Sequence, residues 1–442
     1  MQDNACVTVE RQSCFHEYRF NRCNTRAHRI VPRTKARRFN RRAARFGGVR
    51  RISIALFLAG FSTFSLLYCV QPLLPAFASE FHIGAAQSSL ALSLSTGFLA
   101  FSILCAGALS ERFGRRGLIF ASMTLAALFN VCAALEADWH SILVARALEG
   151  LALGGVPAVA MAYLAEEIDP RGLGLAMGLY VGGTAFGGMI GRVGMSYMSD
   201  HLSWRTAMLT IGIVDVIAAV AFVLLLPGSR NFVRRTDLSP AHHIALWRRH
   251  LTASTLPAVF ATGCLVMGVF VTVYNYAGFR LMAPPFDLSA TQTGLIFCSY
   301  LFGIVAASSA GALADRCGRG PVLTAGVVVA AFGLALTLMH ALVPVVLGII
   351  VLTVGFFITH SVASGWVGQL ADGAKGHATS LYLLAYYLGS SVLGSWGGWF
   401  WQNGQWPSVA RFGFAMLAVC GTLTFYVART QSHKRHAHAR AR

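Results

Sequence analysis

Apolar residues gather in runs of roughly 20, the length a helix needs to cross a bilayer core of about 30 Å. Twelve such runs fall at approximately 52–78, 86–110, 117–136, 140–165, 172–198, 205–227, 251–277, 290–313, 320–339, 343–364, 378–400 and 408–428. Short polar gaps separate them. Some runs contain Gly or Pro, as in Gly154, Gly155 and Pro157 or Gly182, Gly183, Gly187, Gly188 and Gly191. Membrane helices tolerate these residues because neighbouring helices satisfy the loosened backbone. The pattern predicts an all-α membrane protein with twelve transmembrane helices.

Two of the polar gaps carry nearly the same text. Gly107-Ala-Leu-Ser-Glu-Arg-Phe-Gly-Arg115 recurs at Gly311-Ala-Leu-Ala-Asp-Arg-Cys-Gly-Arg319, with six of nine positions identical at an offset of 204 residues. Arg171-Gly172 and Lys375-Gly376 keep the same offset of 204. A long fixed offset in so apolar a chain indicates a duplicated membrane half, the architecture of secondary transporters. The expected organisation is a basic disordered cytoplasmic tail over 1–51, one six-helix bundle over 52–227, a cytoplasmic linker over 228–250, a second, pseudo-symmetric six-helix bundle over 251–428, and a basic cytoplasmic tail over 429–442. The linker, with Arg230, Arg234, Arg235, Arg248 and Arg249, reads as an amphipathic connector at the inner membrane surface.

Composition fits this picture. Hydrophobic residues make up 55% of the chain and charged residues 12%, against about 25% charged in a soluble protein. With the N-terminus inside, 31 of the 36 Lys and Arg residues lie on the inner side, which places both termini in the cytoplasm. The net charge of +19 is then topology signal and attraction to anionic lipid, with no nucleic acid required. Trp139, Trp204, Trp401 and Trp406 fall at outer loops, where an interfacial aromatic belt would sit. The ten cysteines form no C-x-x-C and no metal-ligand spacing, and read as free thiols. No cofactor or metal is expected.

The repeated gap mixes turn-forming Gly with one acid and several bases. Glu111 can accept from helix N-terminal amides or Arg side chains, and pairs between halves would act as latches made in one conformation and broken in the other. The plainer alternative is inner-surface charge around a glycine turn. The two copies resemble motif A of the major facilitator superfamily. The resemblance implies that Gly107, Glu111, Arg112, Gly114 and Arg115, with Gly311, Asp315, Arg316, Gly318 and Arg319, form a conformational latch, for which Arg171 is the matching basic partner. Leu143-Val-Ala-Arg146-Ala-Leu-Glu149-Gly150 resembles motif B, whose arginine is implicated in proton coupling; Glu149 replaces the usual Gln. Gly183-Thr-Ala-Phe-Gly187-Gly188-Met-Ile-Gly191-Arg192 resembles antiporter motif C, with Gly188 in place of Pro and Arg192 in place of a second Gly. The resemblance spans 52–428. Within it, Tyr68 to Pro75, Glu166-Glu167-Ile168 and Tyr382 to Ser390 resemble the YnfM type of bacterial inner-membrane transporter, usually described as efflux-like.

Ionisable groups inside spans are functional candidates by default. Arg146 and Glu149 stand three apart, share a helix face and can pair. They form either a proton site, loaded and released as the arginine moves, or a static ion pair. Arg146 also lies near enough to the outer end to snorkel. Asp215 sits near the midplane of the sixth span with no basic residue within a turn, as a second proton site or a neutral packed acid. Arg192 is expected to snorkel or pair outside. Gln71, Asn275, Tyr276, His360, Tyr382 and Tyr386 could line a midplane cavity, with interhelical packing as the alternative for each.

The expected function is alternating-access transport of a small organic molecule, with proton-coupled efflux the first reading and proton symport or facilitated uptake the second. Protons, substrate and the lipid bilayer of a bacterial inner membrane are the expected partners of a monomer. An integral-membrane enzyme or a transporter-like sensor is the competing class. No H-E-x-x-H, no G-x-S-x-G and no paired metal-binding acids support an enzyme. Substrate identity is not encoded at this level.

Overall fold

A computed structural model describes residues 33–168, 170–229, 240–371 and 373–440, apart from the side chains of 33–49, 107–109, 111–113, 165, 170–172, 240 and 432–440. The chain divides into two units, Met1–Gly47 and Gly48–Arg442. The described residues are helical and contain no strand.

Eleven helical stretches among the described residues are long and apolar enough to cross a membrane. The first six are Arg50–Glu80, Ala85–Ala106, Arg115–Leu135, Trp139–Leu164, Leu173–His201 and Trp204–Leu225. Leu256–Leu281, Ala290–Cys317, Arg319–Leu336 and Leu342–Leu370 follow. The last stretch, Lys375–Gln431, has 57 residues, which would reach about 85 Å as one helix, far beyond a bilayer. It is broken at Gly404 and Gln405, where the backbone leaves helical geometry just before Pro407. Two spans, the eleventh and twelfth, therefore lie in it, giving twelve helices in two six-helix bundles.

The repeat is visible in the backbone. Gly114 and Gly318, 204 residues apart, have φ of 88° and 89°, and each ends one span and begins the next. Only glycine adopts this conformation without strain. Glycine also sets the closest helix approach. A β-carbon on Gly183 or Gly187 of the fifth span would collide with the carbonyls of Phe57 and Phe61, and one on Gly191 would meet Ser65. These motif-C-like glycines thus form a flat face, on successive turns, against the first span. In the second half, Gly389 meets the backbone of Cys264 in the same way.

Several expectations are corrected. The first helix runs from Arg33 to Tyr68, so the tail expected to be disordered over 1–51 is helical from residue 33; its Arg- and Ala-rich sequence favours helix. Residues 1–32 lie outside the described residues. Trp139, Trp204 and Trp406 do not form an open belt. All three are buried, and the first two pack around Phe77 and Phe81. In the linker, 230–239 lie outside the described residues, and Pro240–Leu251 is a helix. His243 stacks on His377, and Trp247 donates to Ser380, at the start of the eleventh span.

Candidate functional site

The first span breaks near its middle. Its α-helix stops at Tyr68, and a short 3₁₀ turn at Gln71–Leu73 precedes a second helix, Leu74–Glu80. Pro72 has no N–H to continue the ladder, so carbonyls at the helix end need other donors. Arg146 supplies them. Its Nη2 donates to the Leu67 carbonyl at 2.9 Å, its Nη1 to Leu66 at 3.3 Å and its Nε to Ala91 of the second span at 3.1 Å.

Arg146 also pairs with Glu149, one helical turn away. Both side chains are 0% exposed, so Arg146 does not snorkel: three helices enclose it although its own span ends only two turns away. One carboxylate oxygen of Glu149 takes the arginine and the other has no partner. Asp215 is buried in the same half with neither oxygen hydrogen-bonded. Ser62 and Ser65 of the first span face it without closing a normal bond.

Arg192 is also buried, at 2% exposure. It snorkels nowhere. Nε donates to Gln71 Oε1 at 2.7 Å and Nη1 to the Gly188 carbonyl at 2.6 Å, while the guanidinium lies over Tyr68 at 4.2 Å, Tyr300 at 5.0 Å and Phe297 at 5.2 Å. Tyr300 and Phe297 belong to the eighth span, so the side chain bridges the two halves. Gln71 continues the bridge by donating to Asn275 of the seventh span at 2.8 Å. Gln71 and Asn275 are themselves 204 residues apart: they are repeat mates meeting on the pseudo-twofold axis.

Of the other cavity candidates, His360 Nδ1 meets the Tyr382 hydroxyl at 2.9 Å, and its ring lies 4.6 Å from that of Tyr386. Tyr276 stands apart, bonded to the Gly394 carbonyl at 3.1 Å and stacked on Phe279 and Trp401, as a packing residue. Ser95, Tyr274, Ser299 and Thr353 carry no signature in the sequence, yet they join buried networks. Ser95 holds the Arg146 carbonyl at 2.8 Å, and the Tyr274 hydroxyl bonds Ser299 and, at 2.8 Å, Thr353.

At the loop motif, Arg115 forms a two-point pair with Glu166 at 2.7 and 3.2 Å. Asp315, largely exposed, lies 3.7 Å from Arg319 in its own half, while Arg316 is exposed and Gly311 has open space at its α-carbon. Gly107 lies in the helix Leu90–Phe113. The side chains of Glu111, Arg112 and Arg171 lie outside the described residues, so the latch they were expected to form is not seen. No cluster of metal-ligating side chains occurs among the described residues.

The hydrogen bonds that join the halves lie away from those loops. Asp200 Oδ2 accepts from Ser289 Oγ at 2.8 Å and from the Thr291 amide at 3.1 Å, a carboxylate at a helix N-terminus. Ser391 and Ser395 of the eleventh span donate to Ser93 of the second, each at 2.6 Å.

Comparison with known proteins agrees with this architecture. Residues 54–284 and 265–442 match the family model described as Major Facilitator Superfamily. The inner membrane transport protein YnfM of Escherichia coli (strain K12) is 43% identical over 84% of this chain and 88% of its own length. The MFS-type transporter YybF of Bacillus subtilis (strain 168) is 41% identical over 86% of this chain and 94% of its own. Among solved structures, a bacterial homolog of the human lysosomal transporter Spinster, inward-facing and unoccupied, aligns with TM-score 0.71 at 13% identity, over 87% of this chain and 97% of that one. The nucleoside transporter NupG aligns with TM-score 0.69 at 13% identity, over 85% of this chain and 98% of that one. Relatives covering most of the chain are transporters and not enzymes, and the chain is a multi-pass membrane transporter for a small molecule, a member of the major facilitator superfamily.

Proposed function

We propose that this transporter is a proton-coupled exporter of small organic molecules, acting as a monomer in a bacterial inner membrane with both termini cytoplasmic. The observation that carries the reading is the enclosed Arg146–Glu149 pair, with one carboxylate oxygen unpartnered, in the same half as a buried Asp215 that faces only the Ser62 and Ser65 hydroxyls. Transmembrane acids of this kind mark proton paths. Breaking the arginine's hold on the first span would leave Glu149 desolvated and ready to take a proton; restoring it would expel that proton.

In this reading the loops at Gly114 and Gly318 face the cytoplasm, and the contacts through Asp200, Gln71 and Asn275 close the outer side. The recorded state is then inward-facing, in keeping with the Spinster homolog it resembles. Opening outward requires parting of the Gln71–Asn275 bridge, while the motif A residues close the inner side. Substrate–proton symport is the second reading, favoured by Arg192 and Gly188 where antiporter motif C has Gly and Pro.

The test is flux in proteoliposomes containing a pH-sensitive dye, challenged with a panel of organic substrates. Glu149→Gln is expected to abolish substrate-driven proton movement, and Asp215→Asn to reduce it. Undiminished proton coupling in Glu149→Gln would end the proposal. The direction of proton movement relative to substrate separates export from symport.

A further inference from the structure

We propose that Arg192 and its neighbours form the binding site for the carboxylate of a small organic anion with an apolar body. This inference rests on the carrier reading and adds a substrate class to it.

The argument is a count of donors. Arginine can only donate, so the Gln71 oxygen must face Arg192, and the Gln71 amide nitrogen must face Asn275. Asn275 therefore turns its oxygen toward Gln71, leaving its Nδ2 donor buried without an acceptor. The Tyr68 hydroxyl, whose ring lies under the guanidinium, is also buried and faces the Ser390 hydroxyl without closing a normal bond. The Gln71 link thus joins a buried cation to a donor with no acceptor, and the Tyr68 hydroxyl beside them closes no normal bond. Among the described residues no carboxylate is paired with Arg192, in contrast with Arg115 on Glu166 and Arg146 on Glu149.

Burying a cation without an anion is costly, and so is burying a donor without an acceptor. A bound carboxylate supplies both the missing charge and acceptor oxygens at one place. A neutral ligand meets only the second need, and a cation meets neither.

The body of the ligand follows from the rings on the other half. Tyr300 lies beside Arg192 and 5.6 Å from Phe270, which stacks on Phe356 at 3.8 Å. Phe356 is followed by His360 at 5.8 Å and then Tyr386 at 4.6 Å from that histidine. A cluster of aromatic rings extending from a cation makes apolar surroundings that suit a hydrocarbon body bearing one terminal carboxylate. The site also joins binding to movement. A carboxylate that takes Arg192 away from Gln71 loosens the bond that ties the two halves at Asn275.

The test is calorimetric titration of the full-length protein in lipid nanodiscs with benzoate, benzamide and benzylamine at one pH. Benzoate is expected to bind, and the neutral and cationic probes at least about tenfold more weakly. Arg192→Gln should weaken benzoate by about 10- to 100-fold, with Arg192→Lys recovering part of the loss. Should Arg192→Gln fail to fold, Asn275→Asp is the second variant. It keeps the side-chain shape and sets a carboxylate in the same buried network, across Gln71 from Arg192, so it should weaken benzoate binding. The proposal is overturned if benzoate gives no heat, if benzamide binds as tightly, or if the folded variants bind benzoate like wild type. No gradient enters this measurement, so it can fail while the Glu149→Gln flux result stands, and the reverse.

Discussion

At the same repeat position, one half of the molecule has Pro72 and the other has Tyr276. The first span breaks there, whereas the seventh runs unbroken from Leu256 to Leu281. The break frees carbonyls at Leu66 and Leu67, and a buried arginine is present to bind them. The unbroken helix frees none, and 204 residues beyond Arg146 stands Ile350. The counterpart of Glu149 is Thr353, that of Asp215 is Val419 and that of Arg192 is Trp396. Duplication has given two bundles of one shape, of which the first holds the buried charge and the second holds rings and hydroxyls. The break, with Pro72 just beyond it, marks that divergence, because a helix end in lipid must find donors inside the protein.

The largest effect expected from this difference belongs to Arg146→Met. It strands a buried carboxylate and frees three carbonyls, and removing one partner of a buried pair costs about 3–5 kcal/mol. Thermal unfolding in detergent should show a large loss of stability and of folded yield. The double variant Arg146→Met/Glu149→Met should recover the part due to the stranded acid while remaining uncoupled to protons. A wild-type melting curve for Arg146→Met would mean that the charged core does not hold the broken span.

The halves should respond alike where they share backbone geometry. Gly187→Ala pushes a methyl group into the first span and Gly389→Ala pushes one into the seventh. Overpacking of this sort costs about 1–3 kcal/mol. Gly182, one residue from that face, has open space at its α-carbon, and Gly182→Ala should melt like wild type. If Gly187→Ala alone is damaging, the close approach matters in only one half.

A smaller loss is expected in the uncharged half. Thr353 donates to the Ile349 carbonyl at 2.7 Å, so Tyr274 must be the donor in its bond to Thr353. Thr353→Val removes that acceptor, and about 1 kcal/mol should be lost. Proton coupling should be unchanged, in contrast with Glu149→Gln at the equivalent position. Loss of coupling in Thr353→Val would place the second half in the proton path and erase the distinction drawn above.

These contrasts also separate what the sequence discloses from what it conceals. The apolar runs define the spans because lipid demands unbroken hydrophobic length, and the offset of 204 defines the duplication. That Arg146 faces Glu149 follows from a spacing of three. Its enclosure does not, because depth counted along one span takes no account of the first and second spans that wrap it. Arg192 is the same case: a position near the end of a run suggests snorkelling, but rings from the other half cover it. The Gln71–Asn275 contact was implicit in the repeat, since mates close to a twofold axis must meet each other. Tyr274, Ser299 and Thr353 gave no such hint, because single hydroxyls in apolar runs have no characteristic spacing.

The mildest test concerns how the fourth and tenth spans begin. Asp138 caps the fourth, its carboxylate accepting from the Ser141 amide at 2.9 Å. That bond holds the Asp138 carboxyl below the ordinary carboxylate range. The tenth span begins at Ala341, exposed and in the extended conformation of a cap, with no side-chain acceptor. Ala341→Ser should therefore stabilise the protein by about 1 kcal/mol, seen as a raised melting temperature. Ala341→Asp should do the same near neutral pH. A lowered folded-state pKa contributes stability above the ordinary carboxylate value and loses it as the pH falls through the folded one. The gain from the aspartate should thus fade in acid while that from the serine persists. If neither substitution raises the melting temperature, the missing cap is not a point at which the second half is weaker than the first.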